Sequence, residues 1–178
     1  MSADPNCGVA HGHGPADGGP SGRVLVAVFS SPVSALLLRY GADLGFRTVL
    51  VEPDPTRLEG APAADVAVRG FAELGAELAG GQADVVVTDH HRDELGELLR
   101  DALAGPARWI GVMGNPRHEG PHVAALAALG VPPEEVARVH RPIGLDIGSR
   151  TPAEIAVSTL AGLLADRNGR TGGFAHAR

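Results

Sequence analysis

Several polar side chains in this sequence stand where an α/β fold presents its ligands. The run Asp-Val-Val-Val-Thr, residues 84–88, is followed by Asp89, His90 and His91. The His90 imidazole can donate to a phosphate or ligate a metal; a surface histidine beside a helix start is the competing reading. Gly114-Asn115-Pro116-Arg117 follows another apolar run. Arg117 offers a bidentate fork to a phosphate, with Gly114 and Asn115 beside it. Ser30 and Ser31 follow Phe29. They offer hydroxyls, and the helix after them offers N–H groups to an anion. Equally, Ser31 caps that helix with Pro32 in its first position. Glu52 closes a further run, where an acidic residue commonly binds a ribose; a solvated strand end explains it as well. Asp146 and Arg150 lie in a glycine-punctuated loop, where they either pair with each other or face a ligand. No nucleophile–base–orienter set is visible, and the residues argue for binding rather than catalysis.

Positioning these groups falls to alternating strands and helices. Val24 to Phe29 is a continuous apolar run of strand length, typical of a parallel strand covered on both faces. Val33, Leu36, Leu37, Leu38 and Tyr40 follow at helical spacing, and Gly45 ends that helix. Phe46 to Val51 is the second strand, closed by a Pro53-Asp54-Pro55 turn. Asp65 to Arg69, Asp84 to Thr88 and Arg108 to Met113 supply the third, fourth and fifth strands. Helices are expected over Phe71 to Leu78, Asp93 to Leu103 and Val123 to Leu129, with a helical turn over Pro133 to Val139. The pattern predicts an α/β, Rossmann-like, doubly wound parallel sheet in strand order 3-2-1-4-5. Ligands then bind beyond the carboxyl ends of the strands, where the first strand meets the fourth.

The 178 residues suffice for one domain with a full core. Residues 1–22 read as a disordered tail, 23–168 as the domain and 169–178 as a C-terminal tail. Aromatics are 3%, so Val, Leu, Ile and Ala must build the core. A net charge of −6 argues against nucleic acid as a partner. No apolar run approaches the roughly 20 residues of a membrane span, and the polar N-terminus is no secretory signal. The single Cys7 allows no internal disulfide and fits a reducing, cytoplasmic setting. Cys7 with His11 and His13 has the chemistry of a soft metal site, but a flexible leader accounts for these residues. His118 and His122 are four apart, and Gly120-Pro121 between them disfavours the unbroken helix that a zinc pair needs. No metal site is assigned.

From His140 to Ala161 the chain reads as a loop punctuated by Pro142, Gly144 and Gly148. A helix follows with Thr151 as cap, Pro152 first and Glu154 completing a capping box. This stretch closely resembles the signature of the XdhC/CoxI family in its C-terminal Rossmann-type domain. Pro142, Gly144, Asp146, Gly148, Arg150 and Thr151 match it, Thr88 and His90 resemble a Thr-His pair, and Gly114 and Arg117 are retained from Gly-Ser-Arg-Arg-Lys. The resemblance covers about Val24 to Arg167. The extra N-terminal domain that members often carry, with its Cys motif, has no expected counterpart here. The resemblance implies an accessory protein that binds molybdenum cofactor and delivers it to a xanthine dehydrogenase-type molybdenum hydroxylase, with a homodimer left open. Its binding residues would come from Ser30, Ser31, Glu52, Thr88, His90, Gly114, Asn115, Arg117, Asp146 and Arg150. The family's glycine-rich first turn is replaced by Phe29-Ser30-Ser31-Pro32, and Pro116 and His118 replace two cationic positions. NAD(P) therefore ranks behind molybdenum cofactor as a ligand. The alternatives to delivery are an NAD(P)-binding oxidoreductase domain and a degenerate domain serving as a protein-interaction scaffold.

Overall fold

The computed structural model describes residues 22–114 and 120–173. Strand β1 (Val24–Val28) pairs in parallel with β2 (Arg47–Val51) on one side and β4 (Ala83–Val87) on the other. Strand β3 (Val66–Val68) lies outside β2, and β5 (Trp109–Val112) outside β4. The expected order 3-2-1-4-5 is present, and a sixth strand, β6 (Val139–His140), extends it beyond β5. All five pairings are parallel.

Every residue of β1 and β4 is buried, because helices cover both faces of the sheet. On one face Val26, Val28, Val85 and Val87 pack against α4 (Leu95–Ala104), through Leu95, Leu98 and Leu99, and against Phe71, Leu74 and Leu78. Phe71 comes from a single 3-10 turn, Phe71–Glu73, Leu78 from the short α3 (Gly75–Leu78), and Leu74 lies between them. A single helix was expected over that stretch; Leu74 divides it into two pieces. On the other face Leu25, Ala27, Leu50 and Val86 meet α1 (Pro32–Asp43) and α7 (Pro152–Arg167), through Leu37, Leu38, Ala156, Leu160 and Leu163.

Between β2 and β3, Pro55–Glu59 forms α2, capped by Asp54, where the sequence suggested only a turn. Helix α5 (Pro121–Ala128) follows β5, and α6 (Pro133–Val136) precedes β6. The helical reading of Pro133 to Val139 is thus corrected at its end. Val139 leaves the helix to pair with Ile110, and His140 pairs with Gly111. The indole of Trp109 lies across Gly111, where a Cβ would come within 2.1 Å of it. It stacks on the His140 ring, with centroids 5.1 Å apart and planes 7° from parallel.

At the amino ends of the strands, Asp84 is fully buried. Arg108 donates to its Oδ1 at 2.7 Å and Arg167 Nε to its Oδ2 at 2.6 Å. Burial pushes its carboxyl above the ordinary value, against the pull of both guanidiniums. This group ties the last turn of α7 to the amino ends of the strands.

Candidate functional site

The carboxyl ends of the strands carry two separate groups of polar side chains. The first lies over β1 and β2. Phe29 leaves β1 with φ 74°, the only non-glycine residue of positive φ among the described residues. In a dinucleotide fold this turn is built from glycine, which enters the left-handed region freely. A bulky residue there carries strain, on the order of 1–2 kcal/mol. The Phe29 ring is nonetheless fully buried, and its N–H donates to Val51 O at 2.9 Å.

Ser31 caps α1. Its Oγ accepts from Ser34 N at 3.0 Å, and Ser34 Oγ accepts from Ser31 N at 2.8 Å. Thr88 Oγ1 is 3.0 Å from Phe29 O, 3.1 Å from Val28 O and 3.1 Å from Ser31 Oγ. A hydroxyl carries one hydrogen. When Thr88 gives its own to the β1 carbonyls, Ser31 supplies the hydrogen between the two oxygens. Both hydroxyls thereby hold the first turn against β4.

Glu52 is fully buried at the end of β2. Its Oε2 accepts from Ser30 N at 2.7 Å and its Oε1 from Asp54 N at 3.0 Å. Arg92, from the loop after β4, adds Nη2 to Oε1 at 3.1 Å and Nη1 to Oε2 at 3.4 Å. The same guanidinium bonds Glu94 at 2.9 and 3.2 Å and lies 4.7 Å from the Phe29 ring centroid. The Glu94 hydrogen bond above all, with Glu52 beside it, raises the Arg92 pKa still further above its ordinary value.

The second group lies over β4, β5 and β6. The Arg141 guanidinium rests on Gly114: a Cβ there would stand 2.5 Å from Nη2 and 2.6 Å from Nε. Its Cδ lies over Gly120, and so does the His122 ring, which would meet a Cβ on Gly120 at 2.3 Å. His122, in the first turn of α5, is 6% exposed, and its buried Nδ1 has no hydrogen-bond partner among the described residues. Burial, and then the charge of Arg141, hold His122 below its ordinary pKa. His90 is lowered by burial first, then by the charges of His91 and Arg141, while Asp89 and a hydrogen bond to the Met113 backbone oppose the shift. The exposed His91 packs on His90 with ring centroids 4.1 Å apart. Two imidazoles held below their ordinary pKa beside one permanent cation have the chemistry to donate hydrogen bonds to an anion.

The signature loop is pinned to α7. Leu145 N donates to Ser158 O at 3.1 Å. Gly144, at φ 87°, passes so close that a Cβ would fall 2.4 Å from Ser158 Oγ. Glu154 Oε2 accepts from Arg150 N at 2.6 Å and Thr151 N at 3.0 Å. These N–H groups hold the Glu154 carboxyl below its ordinary value. Asp146 and Arg150 are both exposed, and no ion pair joins them.

Of the residues singled out from sequence, Ser30, Ser31, Glu52 and Thr88 meet in the first group, and His90 and Gly114 in the second. Asp146 and Arg150 join neither. Asn115 and Arg117 lie outside the described residues, as do Cys7, His11, His13 and His118. Arg92 and Arg141 escaped the sequence reading, and His122 was weighed only as half of a zinc pair. A polar turn and an Arg-Pro pair are the faint local signals of the two arginines. Among the described residues no cluster of three or more His, Cys, Asp or Glu side chains could hold a metal. No helix there is long and apolar enough to cross a membrane.

Comparison with known proteins places this geometry. The family model described as the XdhC Rossmann domain matches residues 25–163. The uncharacterized protein YqeB of Escherichia coli (strain K12) is 35% identical over 90 residues, which are 51% of this chain and 16% of that protein. A crystal structure of a xanthine dehydrogenase from Bacillus halodurans superposes with a TM-score of 0.62 at 24% identity, over 83% of this chain and 45% of that one. At that identity the likeness concerns the fold, and the chain spans less than half the length of either protein.

Proposed function

The chain belongs to the XdhC family through its Rossmann domain, and from that premise we propose that it is an accessory protein that binds molybdenum cofactor and passes it to a xanthine dehydrogenase-type molybdenum hydroxylase. The observation that carries this reading is the second group, where Arg141, His90 and His122 converge around Gly114 and Gly120 at the carboxyl ends of β4, β5 and β6. The cofactor is a pterin that ends in a phosphate. These residues fit such a ligand. Arg141 supplies a permanent charge for the phosphate. Gly114 lacks the side chain that would push the Arg141 guanidinium out of this position. His122 Nδ1 is a buried polar atom still to be matched. Arg117 and Asn115, read as binding residues from the sequence, belong to the same proposal. When bound, the cofactor supplies the molybdenum chemistry of the client, and this chain orients and shields it.

The experiment is purification of the full chain under strict exclusion of oxygen from cells that make the cofactor, followed by molybdenum and pterin analysis. Near-stoichiometric molybdenum and pterin are expected. Their absence, both from the purified protein and after incubation with fresh cofactor, would overturn the reading.

A further inference from the structure

The two groups at the carboxyl ends of the strands are not equivalent, because one of them is already filled by the protein itself. We propose that Arg92 is a specificity-determining residue that closes the nucleotide half of the crevice, so that a ligand must end in a bare phosphate rather than a nucleotide. The choice of a pterin as that ligand rests on the proposed function; the closure does not.

In a dinucleotide fold, the acidic residue at the end of the second strand takes the ribose hydroxyls, and the glycine turn after the first strand lets the pyrophosphate approach. Glu52 stands at the first of these places and Phe29 at the second. Both Glu52 oxygens are engaged by Ser30 N, Asp54 N and the two terminal nitrogens of Arg92. A ribose would have to displace a bidentate guanidinium from a buried carboxylate. Such pairs are costly to break, because the remaining charge is left uncompensated away from water. The guanidinium also covers the Phe29 ring, which fills the position that glycine would leave open. Glu94 holds Arg92 from the other side, and the Arg92 side chain is only 12% exposed. Three residues from three different strand ends thus occupy the space between β1 and β2.

The test uses ADP-ribose as a probe of the nucleotide half, by calorimetric titration of the full chain. The unmodified protein should bind it no more tightly than about millimolar. Arg92→Ser should bind it at least tenfold more tightly with an unchanged circular dichroism spectrum. Should Arg92→Ser fail to fold, Arg92→Gln keeps one neutral hydrogen bond to the Glu52 carboxylate and should show a gain in the same direction. Micromolar binding by the unmodified protein, or a folded variant that gains nothing, would overturn the proposal. In a second arm, the phosphate form of molybdenum cofactor and its cytidine dinucleotide form are titrated in parallel. A preference of at least tenfold for the phosphate form is expected. Equal binding of both forms overturns the proposal while sparing the proposed function. Binding of neither removes the proposed function, and the ADP-ribose arm then still decides the role of Arg92.

Discussion

Arg167 and Asp84 are 83 residues apart in the chain and meet at 2.6 Å, Nε to Oδ2. The arginine is the last residue of the final helix, and the aspartate is the second of a central strand. With Arg108 on the other carboxylate oxygen, the contact fastens the signature helix to the sheet.

Asp84→Asn removes the buried carboxylate shared by two guanidiniums, of which Arg108 keeps Asp166 at 2.7 Å. Breaking a buried pair from one side costs about 3–5 kcal/mol, and chemical denaturation should show a loss near the lower figure. The Arg47–Glu77 pair at the surface offers the contrast: Arg47→Ala should leave the denaturation midpoint nearly unchanged.

The histidines of the second group set a pH dependence. His122 and His90 are held below the ordinary 6.5 in the folded chain and recover it on unfolding. As pH falls through 6.5 toward their folded values, the unfolded chain binds more protons, and stability declines. Arg141 and His91 strengthen this trend and Asp89 opposes it. Urea midpoints measured from pH 8 to pH 5 should fall, and the fall should be shallower in His122→Gln. An identical pH profile in that variant would show that His122 does not contribute.

Gly114→Ala places a methyl group against the Arg141 guanidinium, the mobile end of a long side chain. The side chain can yield, so stability should drop by only about 1 kcal/mol. Binding of the cofactor, which on the proposed reading needs the guanidinium where it lies, should weaken roughly tenfold, equivalent to about 1.4 kcal/mol. Equal affinity in the variant and the parent would place the ligand elsewhere.

Thr151→Ala removes the side-chain half of a capping box whose other half is Glu154. A loss of about 1 kcal/mol is expected, read as a lower melting temperature. Hydrogen exchange should rise first at Glu154, whose N–H loses its acceptor.

The sheet was legible because β1 and β4 are buried on both faces and write that fact as unbroken Val and Leu runs. Strand β6 was not, since two residues carry no period, and their pairing with Ile110 and Gly111 is purely tertiary. Ser31 as a cap followed from its neighbours, whereas its contact with Thr88 spans 57 positions. Glu52 was visible as an acidic strand end. Nothing near it announced Arg92, forty residues later, on the same carboxylate. Arg141 was hidden in another way: its importance lies in the side chain that Gly114 lacks.

Trp109 is the sole tryptophan of the chain, and it lies flat on the sheet against His140, the residue before Arg141. The protein therefore carries an intrinsic fluorophore stacked on the residue that precedes Arg141 in the chain. Its emission is expected to change when a ligand engages Arg141, so occupancy can be followed optically without attaching a dye or replacing a residue.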